Sequence, residues 1–337
     1  MLAAVFNGNK NIVLSDYPLR TLEKNELLIK VACCGVCGTD KHIYEGQSPS
    51  SIPVILGHEY SGIIIEKGDS DSKFNIGDKV AIDPNIYCGH CDYCRKGLVS
   101  FCENLKALGV SMNGGFAEYS IVPASQAYIL PPDFDLSIAA FSEPLSCCLR
   151  GIEQADIQQG NTVVIIGGGS IGLLMVQLVR NSGASKIILV EPDSSKQKLG
   201  IELGADCSLS PYNEKIFDEI KELTDSQVDV VIECVGSKET VVNAIKMAGK
   251  GGKVIIFGLA PKDQNVTLNL QYLFQNELKI FNSFLNPFTI KPAIDLLVNK
   301  KISVQKLLTK QIYLKDMADI FSDTNISGSI KVQIINN

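Results

Sequence analysis

The sequence predicts an α/β protein in which a doubly wound parallel sheet is inserted into a β-rich domain, and three observations carry that prediction. The first 147 residues hold short β-type runs (Leu27–Ala32, Gly62–Ile65, Lys79–Ile82, Glu118–Val122) separated by Gly, Pro, Asn and Asp, the texture of a compact domain with few long helices. From about Asn161 the rhythm changes to apolar strand followed by helical segment. After Pro287 a helix over about Ile290–Asn299 and a last strand, Ile330–Ile335, return to the first texture. The chain is therefore divided into a first domain, 1–147 with 288–337, and a second, 148–287. At 337 residues, two domains is also what length alone suggests.

In the middle of the chain the apolar runs Thr162–Ile166, Lys186–Val190, Val228–Cys234 and Lys253–Phe257 read as buried parallel strands, with Leu278–Phe284 completing the sheet. Between the first two, Ile171–Asn181 has helical spacing. The uncharged stretch from Gln158 to Val179 is long enough for a membrane span, but Gly167, Gly168 and Gly169 interrupt it, and such a run favours a turn. It reads as strand, glycine turn, helix, and no membrane association is expected.

Lys and Arg total 31 against 37 Asp and Glu, with no run of like charge, which argues against a nucleic-acid surface. Eleven cysteines are more than packing requires. The amino terminus lacks an apolar signal region, so a reducing, cytoplasmic location is expected, where disulfides are rare and metal is the leading use of clustered thiols.

Gly167-Gly168-Gly169-Ser170-Ile171-Gly172 has the spacing G-x-G-x-x-G between a strand and a helix. There Gly167, Gly169 and Gly172 allow a tight turn and close backbone approach to a pyrophosphate at the helix amino terminus, with Ile171 in the same turn. Glu191, 24 residues after Gly167, ends the next strand. A carboxylate there accepts from ribose hydroxyls and repels a 2′-phosphate, which favours NAD over NADP. Lys196 reads either as a second ribose contact or as a solvated helix lysine.

Cys88, Cys91, Cys94 and Cys102 lie within fifteen residues. Their spacing can wrap a tetrahedral zinc as a closed structural site, and an iron–sulfur cluster is the less favoured alternative. His90 stands between ligands with no vacancy to fill. Cys37, His58 and Glu59 offer a thiolate, an imidazole and a carboxylate, the donor types of a zinc with an open position.

The Gly-x-Cys-Gly-Thr-Asp segment, the Gly-His-Glu segment, the four-cysteine loop and the glycine motif, in that order, resemble the zinc-dependent medium-chain alcohol dehydrogenases over nearly the whole chain. Gly38-Thr39-Asp40-Lys41-His42-Ile43-Tyr44 and Ser142-Glu143-Pro144-Leu145-Ser146-Cys147 are similar to segments of its polyol branch, which includes sorbitol, arabinitol and threonine dehydrogenases. The resemblance implies a Rossmann domain inserted in a GroES-like catalytic domain, two zincs per chain and NAD. It implies that Cys37, His58 and Glu59 hold the catalytic zinc, with Glu59 able to yield its place. Glu143 is then a further ligand or a carboxylate reaching the metal through water. Thr39 resembles the first proton acceptor, and His42 is a relay to solvent or a surface imidazole. Tyr44 lines the pocket or packs. The remaining cysteines, Cys33, Cys34, Cys147, Cys148, Cys207 and Cys234, read as small buried residues.

The implied activity is hydride transfer from a secondary alcohol of a polyol or sugar alcohol, free or phosphorylated, to NAD, giving the ketone. L-Threonine or a simple secondary alcohol is the alternative substrate. A non-catalytic zinc- and NAD-binding scaffold is a reading of another class, and an open zinc site weighs against it. A homodimer or homotetramer is expected by resemblance.

Overall fold

A computed structural model describes residues 1–68, 73–317, 320–321 and 328–336. It divides into two compact units, Met1–Ser146 with Leu285–Asn337, and Cys147–Phe284.

In the first unit the ten-residue strand Glu26–Gly35 is central, and its apolar residues Leu27, Ile29, Val31 and Cys34 are almost fully buried. One edge pairs antiparallel with Glu59–Lys67. The other edge is shared by Tyr119–Pro123 and, towards Gly35, by Lys331–Ile335. Lys79–Ile82 and Ala127–Ile129 extend this sheet at one end and Leu308–Tyr313 at the other. A smaller sheet, Ile12–Asp16, Leu2–Phe6 and Val54–Ile55, contributes Ala4, Phe6 and Ile55 to the same core as Ile29, Tyr60, Ile64, Phe116 and Ile334.

Register places the chemistry. Gly35 is paired with Glu59, so the end of the central strand meets the start of its neighbour. Cys37, two residues past that end, and His58, one residue before that start, are thereby brought together by backbone pairing alone. The carboxy-terminal return is fastened by buried hydrogen bonds. Asn286 Nδ2 donates to Ser146 Oγ at 2.8 Å, and Thr289 Oγ1 donates to the Ser146 carbonyl at 2.8 Å.

In the second unit six strands form a parallel sheet in the order Cys207–Leu209, Lys186–Val190, Thr162–Ile166, Val230–Glu233, Lys253–Ile256, Lys279–Asn282. Val163, Val164, Ile165 and Ile166 are all buried, which requires cover on both faces; burying each is worth roughly 1.5–3 kcal/mol relative to exposure. On one face Val164, Val190 and Val231 share a core with Ile216 and Ile220 of helix Ile216–Thr224 and with Val241 and Ala244 of helix Lys238–Met247. On the other face Leu189 presses on Gly200 of helix Ser194–Glu202, and Ile165 lies near Gly172 of helix Ser170–Asn181. The strand order reverses between Thr162–Ile166 and Val230–Glu233, the position at which doubly wound sheets bind ligands beyond their strand ends.

Strands Thr162–Ile166, Lys186–Val190 and Lys79–Ile82 have the bounds read from the sequence. Among the elements the sequence did not announce, three show why. Helix Ser142–Ala155 contains Pro144 and Gly151, which disguise its period. Strands Cys207–Leu209 and Leu308–Tyr313 are short or alternate with polar residues and lie at sheet edges. No helix among the described residues is long and apolar enough to cross a membrane.

Candidate active site

Cys37 is the residue before helix Gly38–Tyr44, in an extended conformation. Its backbone N–H donates to Asp40 Oδ2 at 2.9 Å, a first-turn carboxylate reaching back in the manner of a capping box. Asp40 Oδ1 accepts from the Gly57 N–H at 3.3 Å and lies 3.5 Å from His58 Nδ1. One fully buried carboxylate thus fastens both donor-bearing segments. Donor atoms of Cys37, His58 and Glu59 all lie within 4.8 Å of one another, with His58 and Glu59 buried and Cys37 half-buried.

The electrostatics are those of a cation site. Burial works against a charged His58 ring, yet the anions of Asp40 and Cys37 outweigh it and hold the ring's pKa well above the usual imidazole range. Lys331, from strand Lys331–Ile335, is ion-paired with Glu59 Oε2. Burial lowers its pKa and Glu59, Cys37 and Glu143 raise it, with a net rise. A sulfur, a nitrogen and an oxygen donor, converging in a buried anionic cluster, fit a zinc ion that keeps a position open.

Thr39 and His42 are half-buried on helix Gly38–Tyr44. His42 Nδ1 lies 2.6 Å from Gln47 Oε1, within hydrogen-bond distance. Glu143 is buried in the first turn of helix Ser142–Ala155 and stands outside the three-donor group. Tyr44 packs on Phe321 and Phe6, with ring centroids 5.3 and 6.5 Å away.

The four loop cysteines also lie within 4.8 Å of one another. Cys91 precedes the single turn Asp92–Arg95, and backbone N–H groups of Cys91 and Cys88 face the sulfurs of Cys88 and Cys102 at 3.4 and 3.3 Å. The His90 backbone N–H, then that of Cys91, lower the Cys88 thiol to about 6, whereas burial, then the neighbouring thiols, push Cys94 up to about 12. Four thiols this close cannot all ionise without a cation among them. His90 is exposed, with Nδ1 2.8 Å from the Cys88 carbonyl oxygen. All eleven cysteines are free thiols; of those read as buried, Cys33, Cys34 and Cys148 are so, while Cys147, Cys207 and Cys234 are half-buried.

In the second unit Gly167 turns the chain at φ +101°, and a Cβ on Gly172 would lie 1.7 Å from the Gly167 carbonyl oxygen, so only glycine closes this turn onto the helix. Gly169 precedes, and Ile171 and Gly172 open, helix Ser170–Asn181. Glu191 is buried at the end of Lys186–Val190 and accepts from the N–H groups of Gly168 at 2.5 Å and Asp193 at 2.9 Å. Lys196 is half-buried in the first turn of Ser194–Glu202, whose Asp193 cap accepts its N–H at 3.2 Å.

Two family descriptions match the chain, an alcohol dehydrogenase GroES-like domain over residues 23–132 and a zinc-binding dehydrogenase domain over residues 170–299. A sorbitol dehydrogenase of Halalkalibacterium halodurans is 33% identical over 97% of this chain and 96% of its own. The D-arabitol-phosphate dehydrogenase of Enterococcus avium is 31% identical over 98% of this chain and 95% of its own. The chain belongs to the zinc-dependent medium-chain alcohol dehydrogenase superfamily, in its polyol dehydrogenase-like branch. A solved zinc-binding dehydrogenase of Sinorhizobium meliloti 1021, bound to NADP, superimposes with a TM-score of 0.95 at 39% identity, covering 99% of this chain and 98% of that one. This medium-chain dehydrogenase is accordingly an oxidoreductase that uses zinc and a nicotinamide dinucleotide.

Two residues of this dehydrogenase's site went unremarked in the sequence. Asp40 lies in a quoted motif, and its place three residues after Cys37 was the available signal. Lys331 had none, since a lysine in a strand normally reads as solvated. Asp40→Asn should cost about 10–100-fold in zinc retention at the Cys37, His58 and Glu59 donor group, as loss of a carboxylate behind a metal-bound histidine does. Chelator-driven zinc release measures this, and native retention in the mutant would remove Asp40 from that role.

Proposed function

We propose that this protein is an NAD-dependent zinc dehydrogenase oxidising a secondary alcohol of a polyol or sugar alcohol, free or phosphorylated, to the ketone. The convergence of Cys37, His58 and Glu59 donors within 4.8 Å carries the reading. Residues 1–147 and 288–337 supply the catalytic groups and 148–287 the cofactor site. When bound, zinc eases loss of the alcohol's proton and nicotinamide accepts the hydride. The chain's own groups do the rest. Cys37, His58 and Glu59 would hold the catalytic zinc, with Glu143 a further ligand or a carboxylate reaching it through water. Thr39 takes the alcohol's proton as it gives its own onward, and His42, held 2.6 Å from Gln47, passes the proton to solvent. Cys88, Cys91, Cys94 and Cys102 hold the second, structural zinc.

Gly167, Gly169, Ile171 and Gly172 form the pyrophosphate turn and Glu191 receives the ribose, with Lys196 beside it. Glu191→Ala should weaken NAD by about tenfold or more, the worth of a charge-assisted hydrogen bond, while sparing NADP. Binding titrations with both dinucleotides check this, and an unchanged NAD to NADP ratio would take Glu191 out of the selectivity.

A homodimer or homotetramer is also part of the reading. Lys279–Asn282 is an edge strand with one unpaired side among the described residues, next to the exposed Leu270 and Phe274. Eleven free thiols suit a reducing cytoplasm. The deciding experiment measures NAD reduction against polyols, polyol phosphates, L-threonine and simple secondary alcohols, alongside metal analysis. About two zincs per chain and turnover on polyols are expected from the two donor clusters. Absence of turnover on every alcohol at full zinc loading would reject the proposal.

A further inference from the structure

We infer that Lys331 is a positioning residue for Glu59, an internal cation that takes over the carboxylate whenever Glu59 lets go of the zinc. The inference rests on the reading of Cys37, His58 and Glu59 as holders of the catalytic metal.

The Lys331 and Glu59 side chains are 5% and 1% exposed. A carboxylate so buried is strongly disfavoured without a cation, because the low-polarity surroundings do not replace its hydration. A ligand that left the metal into such a place would become an unpaired buried anion and would not leave. With the Lys331 ammonium already against Oε2, departure from zinc ends in an ion pair.

The backbone holds the lysine there. Gln333 is paired with Gly35, and the Val36 N–H donates to the Val332 carbonyl at 2.9 Å, so Lys331 lies beside the segment that leads into Cys37. Space for the pair is made at Gly35, where a Cβ would lie 2.1 Å from Glu59 Oε2 and 2.9 Å from Lys331 Cε. Glu143 supplies a second negative charge facing the ammonium, so Lys331 is not stranded when zinc draws Glu59 back. The carboxylate is thereby shared between two cations, and exchange of Glu59 for another oxygen at the metal costs less than it would beside an apolar side chain.

The test is release of zinc to a chelator from the full-length protein, followed in the phase that Cys37→Ala abolishes. Lys331→Met should slow that release by at least about tenfold, since Glu59 then lacks the ammonium that receives it off the metal. Lys331→Arg, whose forked guanidinium grips a carboxylate more firmly, should speed it. In a Glu59→Gln background the Lys331→Met effect should vanish. Zinc-free Lys331→Met should also lose more thermal stability than the zinc-loaded form, whereas a merely structural lysine would cost both equally. Release of Lys331→Met within twofold of native, or faster, overturns the inference. Should Lys331→Met fail to fold, Lys331→Arg decides it, and release no faster than native overturns it. Failure of the metal reading itself is distinguishable, because the native protein would then show no Cys37-dependent zinc at all.

Discussion

Cys37→Ala is expected to lose the catalytic zinc and to lower alcohol oxidation by about 10³-fold or more, with NAD affinity within a few-fold of native. Lewis-acid stabilisation at such a metal is worth several kcal/mol, and each 1.4 kcal/mol or so is tenfold in rate. The remaining donors cannot compensate, since Glu59 already shares its charge with Lys331 and a single imidazole is a weak hold for zinc. The glycine turn at Gly167 and the Glu191 carboxylate belong to the other compact unit, which the substitution leaves untouched. Zinc content, steady-state rates and a dinucleotide titration on the same preparation check the three parts. Near-native turnover would remove Cys37 from the metal site.

Cys94→Ala is expected to lose the other zinc and to lower Tm by on the order of 10 °C while the Cys37 site keeps its metal. Closed four-thiolate sites stabilise the segments they join outright, because the chain between the ligands has little else to fold around. Here the stretch from Cys88 to Cys102 contains one helical turn, Asp92–Arg95, and one 3₁₀ turn, Val99–Phe101, and exposes Tyr93, Leu98 and Phe101. A few kcal/mol lost from a domain of this size corresponds to a shift of that order. Differential scanning calorimetry with metal analysis measures it. A mutant with native Tm and no activity would contradict the structural role.

How much of this was readable before folding divides by sequence distance. Thr162–Ile166 and Lys186–Val190 announced themselves because a strand covered on both faces must be apolar throughout. The turn at Gly167 and the four-cysteine loop were readable because every group they need lies within a few residues. Helix Ser142–Ala155 was hidden by its own proline and glycine, and Leu308–Tyr313 by the polar residues of an edge strand. Glu143 was singled out by resemblance, but only its position outside the three-donor group separates it from Cys37, His58 and Glu59.

The sequence by itself determined the strand, glycine turn and helix of the nucleotide unit, the closed cysteine loop, and the donor types offered by Cys37, His58 and Glu59, all of which depend on local spacing and side-chain chemistry. Only the tertiary structure decided what surrounds those donors. Asp40 ties Cys37 to Gly57 and faces His58 because antiparallel pairing of Gly35 with Glu59 brings two distant segments together. Lys331 reaches Glu59 because the chain, nearly three hundred residues after Gly35, returns as a strand on the other side of Glu26–Gly35 from Glu59–Lys67. Burial then turns an ordinary strand lysine into the counter-ion of the Glu59 carboxylate, and burial is a property of the folded register that no window of sequence contains.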